Sequence, residues 1–223
     1  MQKKIAVIND LSGYGRCSLT VAIPVLSVMG HQCCPVPTAI LSNHTEFPVY
    51  FFDDYTEKMT AYTDKWKELG LSFDAVATGF LGSEAQIEIV MDMIRKLESE
   101  ETFVVVDPVM GDHGHAYETY TPEMCEQMKE LVCMADVVLP NVTECCILTD
   151  TPYKKENWTR RELLNMAMML RLMGAKSVVI TGVREGSYYT NVVLERGQME
   201  AKFIRTRSSG GERPGNGDVF SSV

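Results

Sequence analysis

Gly215-Asn216-Gly217-Asp218 sets two glycines around one polar residue and follows them with a carboxylate. Consecutive backbone N–H groups at such a turn, leading into a helix, make a nest for an anion, helped by the helix dipole. Asp218 beside the nest is placed to take a proton from a substrate hydroxyl while the nest holds developing phosphoryl charge. Phosphoryl transfer asks for little beyond positioning, charge stabilisation, a metal and a base. Asp107, Asp112 and Glu144 add hard oxygen donors of the kind that hold magnesium directly or through water. Each acid taken alone reads as well as a helix cap or an ion-pair partner. Grouped at one rim, they favour a site.

That grouping follows from the elements. Apolar, β-branched runs predict strands at 3–9, 33–40, 73–80, 102–108, 135–141 and 176–182. Between them, helical patterns fall at 15–30, 55–69, 83–99, 121–133 and 159–174, with glycines at 30 and 174 as stops and Ser83 with Gln86 as a capping box. Residues 186–205 read as a hairpin turning at Arg196-Gly197. Strands that are continuously apolar and alternate with helices predict an α/β/α sandwich on a mostly parallel central sheet. At 223 residues, 45% of them hydrophobic, one domain spanning 1–223 is the simplest expectation. The methionines gather in helices (Met91, Met93, Met166, Met168, Met169, Met173) and read as core filling.

Ligands of such sheets bind beyond the carboxyl ends of the strands. Those ends carry Asn9 to Gly13, Thr38 to Thr45, Thr78-Gly79-Phe80, Asp107-Pro108 with Gly111-Asp112, Pro140 to Glu144, and Thr181-Gly182. Polar residues and glycines therefore collect at one edge.

Several chemistries are excluded or weakened. A net charge of −9 argues against nucleic acid as a partner. The loose basic set Arg196, Lys202, Arg205, Arg207 and Arg213 reads equally as a seat for a small anion or as a solvated hairpin edge. Gly13-Tyr-Gly15-Arg-Cys-Ser18 approximates a dinucleotide fingerprint but lacks the acid expected at the end of the second strand. There is no P-loop and no G-x-S-x-G. The four histidines have no metal-ligand spacing, and His31-Gln-Cys33-Cys34 has no matching second cluster. No stretch has the length of a membrane span or the pattern of a signal peptide, so a cytoplasmic protein without membrane contact is expected, with its seven cysteines reduced and mostly buried.

The motifs NDLSGYGRCS, PTAILSNHT, TGFLGS, DPVMGD, PNVTE, ITG and RPGNGD, in that order, resemble the pyridoxal kinases of the ribokinase-like superfamily, over nearly the whole chain. SNHT with TGFLGS separates this pattern from sugar kinases. The resemblance implies a ribokinase-like fold. It implies ATP- and magnesium-dependent phosphorylation of the 5′-hydroxymethyl group of pyridoxal, pyridoxine or pyridoxamine, helped by a monovalent cation such as potassium, in a homodimer. By motif match, Ser12, Thr45 and Phe80 would contact the vitamer ring. Asp107, Asn141 and Thr181 would approach the nucleotide, and Asp112 and Glu144 would serve the metal. Gly215, Asn216 and Gly217 would form the anion hole, and Asp218 would be the base.

Two positions depart from the pattern. Phe80 stands where many members have tyrosine, and Asn216 replaces the threonine of G-T-G-D. Members of the family also continue for several tens of residues past the aspartate, which predicts a C-terminally shortened domain with weak or no activity. A kinase for hydroxymethylpyrimidine and a non-catalytic vitamer-binding remnant are the alternative readings.

Overall fold

A computed structural model describes residues 2–45, 47–97, 101–209 and 214–223. The chain divides into two compact units, Met1–Val105 with Glu212–Val223, and Val106–Gly211.

In the first unit the strands are β1 (Lys4–Tyr14), β2 (Gln32–Asn43), β3 (Phe52–Asp54), β4 (Ala75–Thr78) and β5 (Phe103–Val106), ordered β5-β4-β1-β2-β3. β1 lies parallel to both β2 and β4. Ala6, Ile8, Val36 and Val76 are fully buried, as continuous apolar strands require when both faces are covered. Helices α1 (Leu19–Val28), α2 (Thr56–Glu68) and α3 (Glu84–Leu97) link the strands, and the short α7 (Asn216–Ser221) joins this unit from the far end of the chain. Leu19, Ala22 and Leu26 of α1 pack with Val7.

Three expectations change here. β1 runs to Tyr14 instead of stopping near Asn9, because β2 continues beside it and pairs Ser12 with Leu41 and Tyr14 with Asn43; the register shifts between Asn9 and Leu11. The stretch from Asn9 to Gly13 is thus strand, not loop. β2 tolerates Pro35 and Pro37 because β3 pairs only with Ala39 to Leu41, leaving the prolines where β2 has one neighbour and no N–H is called for. α1 begins at Leu19, four residues later than the pattern suggested, since Gly15 (φ 104°) and Ser18 (φ 53°) turn the chain out of helical conformation. The predicted end of the third helix, 98–99, lies outside the described residues. At its start the Ser83 hydroxyl accepts the Gln86 N–H at 3.3 Å, but the Gln86 side chain turns to the Gly82 N–H at 2.8 Å, so only half of the capping box forms.

In the second unit the strands are the short pair β6 (Gly111–Asp112) and β7 (His115–Ala116), then β8 (Val137–Val138), β9 (Ser177–Glu185), β10 (Tyr188–Leu194) and β11 (Lys202–Arg207), the last four ordered β11-β10-β9-β8. β8 and β9 are parallel, and β9, β10 and β11 form an antiparallel meander. The expected hairpin is therefore three-stranded, with a further turn at Gly186 (φ 63°). Helices α4 (Pro122–Cys133), α5 (Val142–Leu148) and α6 (Arg160–Met173) complete the unit. α5 was not anticipated. Its seven residues are too short for a periodic signature, and the Asn141/Glu144 capping box carries its start.

Met91, Met93 and Met166 are buried, whereas Met169 is 40% exposed. All seven cysteines are free; Cys17, Cys145 and Cys146 are buried, and Cys133 is exposed. No helix among the described residues is long and apolar enough to cross a membrane. Two of the hairpin cations meet acids: Lys202 bonds Glu195 at 2.6 Å and Arg205 lies 3.4 Å from Glu185. Arg213 lies outside the described residues.

Candidate functional site

The first cluster lies within the first unit. Asn9 and Asp10 are buried in β1. The Asn9 Oδ1 accepts the backbone N–H groups of Asp10 (3.0 Å) and Phe80 (2.9 Å), and its Nδ2 donates to Asp218 Oδ1 at 3.2 Å. Asp10 receives the hydroxyls of Ser12 (2.8 Å) and Ser18 (2.5 Å), one on each oxygen. Two charge-assisted bonds let that carboxylate sit out of water. Ser18 holds φ 53° and ψ −133° as the residue before α1, a conformation that costs a non-glycine residue about 1–3 kcal/mol. Its backbone N–H is directed at Asp218.

Asp218 sits in the first turn of α7. Burial pushes its carboxyl above the usual range and the negative charge of Asp10 adds to this, while the N–H of Ser18 and the amide of Asn9 pull the other way. A carboxyl raised in this manner, with donors already in place, suits a proton acceptor. Gly215 precedes it at φ 81°, in the left-handed region, and lies against the chain at Arg16 and Cys17. Gly217 differs: a Cβ there would meet no described atom within 4 Å.

Of the residues expected to hold a ring, Ser12 is buried and committed to Asp10, and Phe80 is half-buried with its N–H on Asn9 and its carbonyl receiving the Thr38 hydroxyl at 3.0 Å. Thr45 is exposed in the turn after β2. Its neighbour His44 packs on Phe47 with ring centroids 4.6 Å apart, close beside Gly15. These hydrogen bonds bring Ser12, Phe80 and Asp218 together through Asn9 and Asp10; Thr45 is not among the residues they join.

The second cluster lies within the second unit. Asn141 and Glu144 cap α5 reciprocally: Asn141 Oδ1 accepts the Glu144 N–H at 2.9 Å and Glu144 Oε2 accepts the Asn141 N–H at 2.7 Å. Glu144 Oε1 also takes the Met110 N–H at 3.2 Å, and Asn141 Nδ2 donates to the Gly111 carbonyl at 2.9 Å. These bonds hold the loop after β5 to the start of α5. Thr181 bridges to Asn141, its N–H on the Pro140 carbonyl at 2.9 Å. Glu144 is buried, and burial, then the charges of Asp107 and Asp112, push its carboxyl well above the ordinary range. Asp112 is exposed on the β6–β7 turn and accepts the His113 N–H at 2.7 Å.

Among the described residues no group of three or more His, Cys, Asp or Glu side chains is arranged to hold a metal ion. Magnesium asks for less, since it keeps several waters and takes one or two carboxylates together with phosphates. Three acids whose charges oppose ionisation of one of them fit such a hydrated cation, which would offset that repulsion.

Three residues of the motif NDLSGYGRCS were given no role by the sequence. Asn9 and Asp10 carried one sequence signal, polar side chains ending an apolar run. Ser18 carried only its place in the approximate dinucleotide fingerprint, because its contact with Asp218 rests on a backbone conformation.

Known proteins add to this geometry. The phosphomethylpyrimidine kinase family model matches residues 23–223. A Bacteroides thetaiotaomicron protein described as a candidate phosphomethylpyrimidine kinase, whose crystal structure is of an orthorhombic form with pyridoxal, is 42% identical; the match has a TM-score of 0.95 and covers all of this chain and 79% of that one. Pyridoxal kinase from Lactobacillus plantarum is 29% identical, with a TM-score of 0.91 over all of this chain and 79% of that one. Pyridoxal kinase from Dictyostelium discoideum is 29% identical over 190 residues, 82% of this chain; the match covers 61% of that relative's length. The chain has the expected ribokinase-like α/β fold with a mostly parallel sheet.

Proposed function

The chain belongs to the phosphomethylpyrimidine kinase family, and we propose that within it the chain transfers the γ-phosphoryl group of ATP to the 5′-hydroxymethyl group of pyridoxal, pyridoxine or pyridoxamine. The observation that carries this reading is the half-buried carboxyl of Asp218, held by Asn9 and the Ser18 N–H beside a glycine turn. Asp218 takes the hydroxyl proton as the new oxygen–phosphorus bond forms and the bond to the leaving ADP oxygen breaks. The backbone N–H groups of Gly215, Asn216 and Gly217 receive the charge on the transferring group. Ser12, Thr45 and Phe80 orient the vitamer ring. Asp107, Asn141 and Thr181 serve the nucleotide, and Asp112 and Glu144 hold hydrated magnesium, which would draw charge from the phosphate oxygens. Potassium assists, residues 1–223 act as one kinase domain, and the protein works as a cytoplasmic homodimer without nucleic-acid or membrane partners.

The vitamer is preferred over hydroxymethylpyrimidine because the 42% identical relative was crystallised with pyridoxal and other relatives are named pyridoxal kinases. The test is ATP-dependent formation of pyridoxal 5′-phosphate with magnesium and potassium, run beside Asp218→Asn and a panel that includes hydroxymethylpyrimidine. Turnover of pyridoxal, however slow, is expected to fall by ~10²–10⁴-fold in the variant. Equal rates in the two proteins, or turnover of the pyrimidine alone, would overturn the reading.

A further inference from the structure

The Asn9 side chain has one permitted orientation. Its Oδ1 accepts two backbone N–H groups, from Asp10 at 3.0 Å and Phe80 at 2.9 Å. Turning the amide over would set its NH₂ against two donors, so Nδ2 must face Asp218, where it lies 3.2 Å from Oδ1. Gly79 makes the space. A Cβ at 79 would fall 2.5 Å from Asn9 Cγ and 2.8 Å from Oδ1, while the Gly79 N–H is already fixed on the Ile8 carbonyl at 2.8 Å. Nothing flexible remains to give way except the Asn9 amide itself.

We propose that Asn9, seated by Gly79, is a positioning residue for phosphoryl transfer: it holds the Asp218 carboxylate oriented and ionised, and through the Phe80 N–H it ties that carboxylate to the wall of the ring site. The inference rests on the reading of Asp218 as the base. The groups that face Asp218 are Asn9 and Asp10 on β1 and Cys17 and the Ser18 N–H in the turn before α1. Of these, Asn9 and Ser18 donate to it, whereas Asp10 opposes its ionisation.

The test compares Asn9→Ala, Gly79→Ala and the double variant with the unaltered chain. The first removes the donor without adding charge, and the second displaces it without touching the amide's chemistry. In both, the Asp218 carboxyl, followed by its ¹³C resonance in the folded chain, is expected to titrate at higher pH. Turnover is expected to fall on the order of 10²-fold in kcat with KM for pyridoxal little changed, as for a misplaced reacting group. The acid limb of the pH–rate profile should move up with the resonance. The double variant is the sharper arm: the three atoms nearest a Cβ at 79 all belong to the Asn9 amide, so once Asn9 is alanine, Gly79→Ala should cost little further. Additive losses in the double variant, or an Asp218 titration unmoved by Asn9→Ala, would overturn the proposal. If the unaltered chain transfers no phosphoryl group, that counts against the kinase reading, and the resonance and the double variant still decide the role of Asn9.

Discussion

Gly215 lies so close to Arg16 that a side chain on it would overlap the Arg16 carbonyl group, and a Cβ would also stand 3.2 Å from Cys17 Cα. This contact sets the end of the glycine turn against the residues that lead into α1, next to the Ser18 N–H that Asp218 uses.

Gly215→Ala should therefore fail in two ways. The left-handed backbone costs a β-carbon about 1–3 kcal/mol, and the collision pushes the turn off Arg16. Lower thermal stability and loss of phosphoryl transfer are expected together. Gly217→Ala is the contrast, since its Cβ meets no described atom within 4 Å and alanine favours a helix by about 1 kcal/mol. Its melting temperature should hold or rise while turnover falls, if the methyl intrudes on the proposed anion nest. Melts and initial rates on the two variants separate the effects.

Glu144 predicts a pH dependence of stability. Its folded carboxyl titrates well above the unfolded one because it is buried beside Asp107 and Asp112. Below the unfolded value, about 4.3, both states are protonated and nothing is lost. As pH rises from there toward the folded value, the unfolded state releases its proton first, so stability declines. Denaturant midpoints across that window should fall with pH, and magnesium with ATP should flatten the decline. Glu144→Gln should remove the slope but lower stability throughout, by about 1–3 kcal/mol, since the amide accepts only one of the two N–H groups.

The opposite sign is expected at α6. Glu162 is pulled down to about 2 by the Lys154 ammonium, then by the N–H and hydroxyl of Thr159. Its contribution is present above the unfolded carboxylate value and is lost as pH falls toward about 2. Thr159→Ala should cost about 1 kcal/mol as a lost cap and bring that acid loss to a higher pH, read from unfolding curves across the acid range.

Phe80→Tyr should tighten vitamer binding. The Phe80 backbone is held at both ends, by Asn9 and Thr38, so the ring position should survive the change. A new hydroxyl hydrogen bond worth about 0.5–1.5 kcal/mol lowers the Kd for pyridoxal by up to roughly 10-fold, measurable by the absorbance of the bound vitamer.

The sequence alone determined the elements whose cause is local. Continuous apolar runs made buried strands. Thr159-x-x-Glu162 and the stop at Gly174 (φ 139°) bounded α6. The pattern Gly215-x-Gly217-Asp218 was legible as a candidate nest with its carboxylate, because both lie within four residues. The tertiary structure decided what depends on partners distant in the chain. β1 extends to Tyr14 only because β2 supplies hydrogen bonds beside it. Pro35 and Pro37 fit a strand only because β3 is too short to reach them. Asn9 reads as the end of an apolar run until the fold sets its amide against Asp218, 209 positions away, with Gly79 leaving the room. Local propensity acts within a few residues, whereas the orientation and titration of Asp218 depend on burial and on donors that folding alone brings to it.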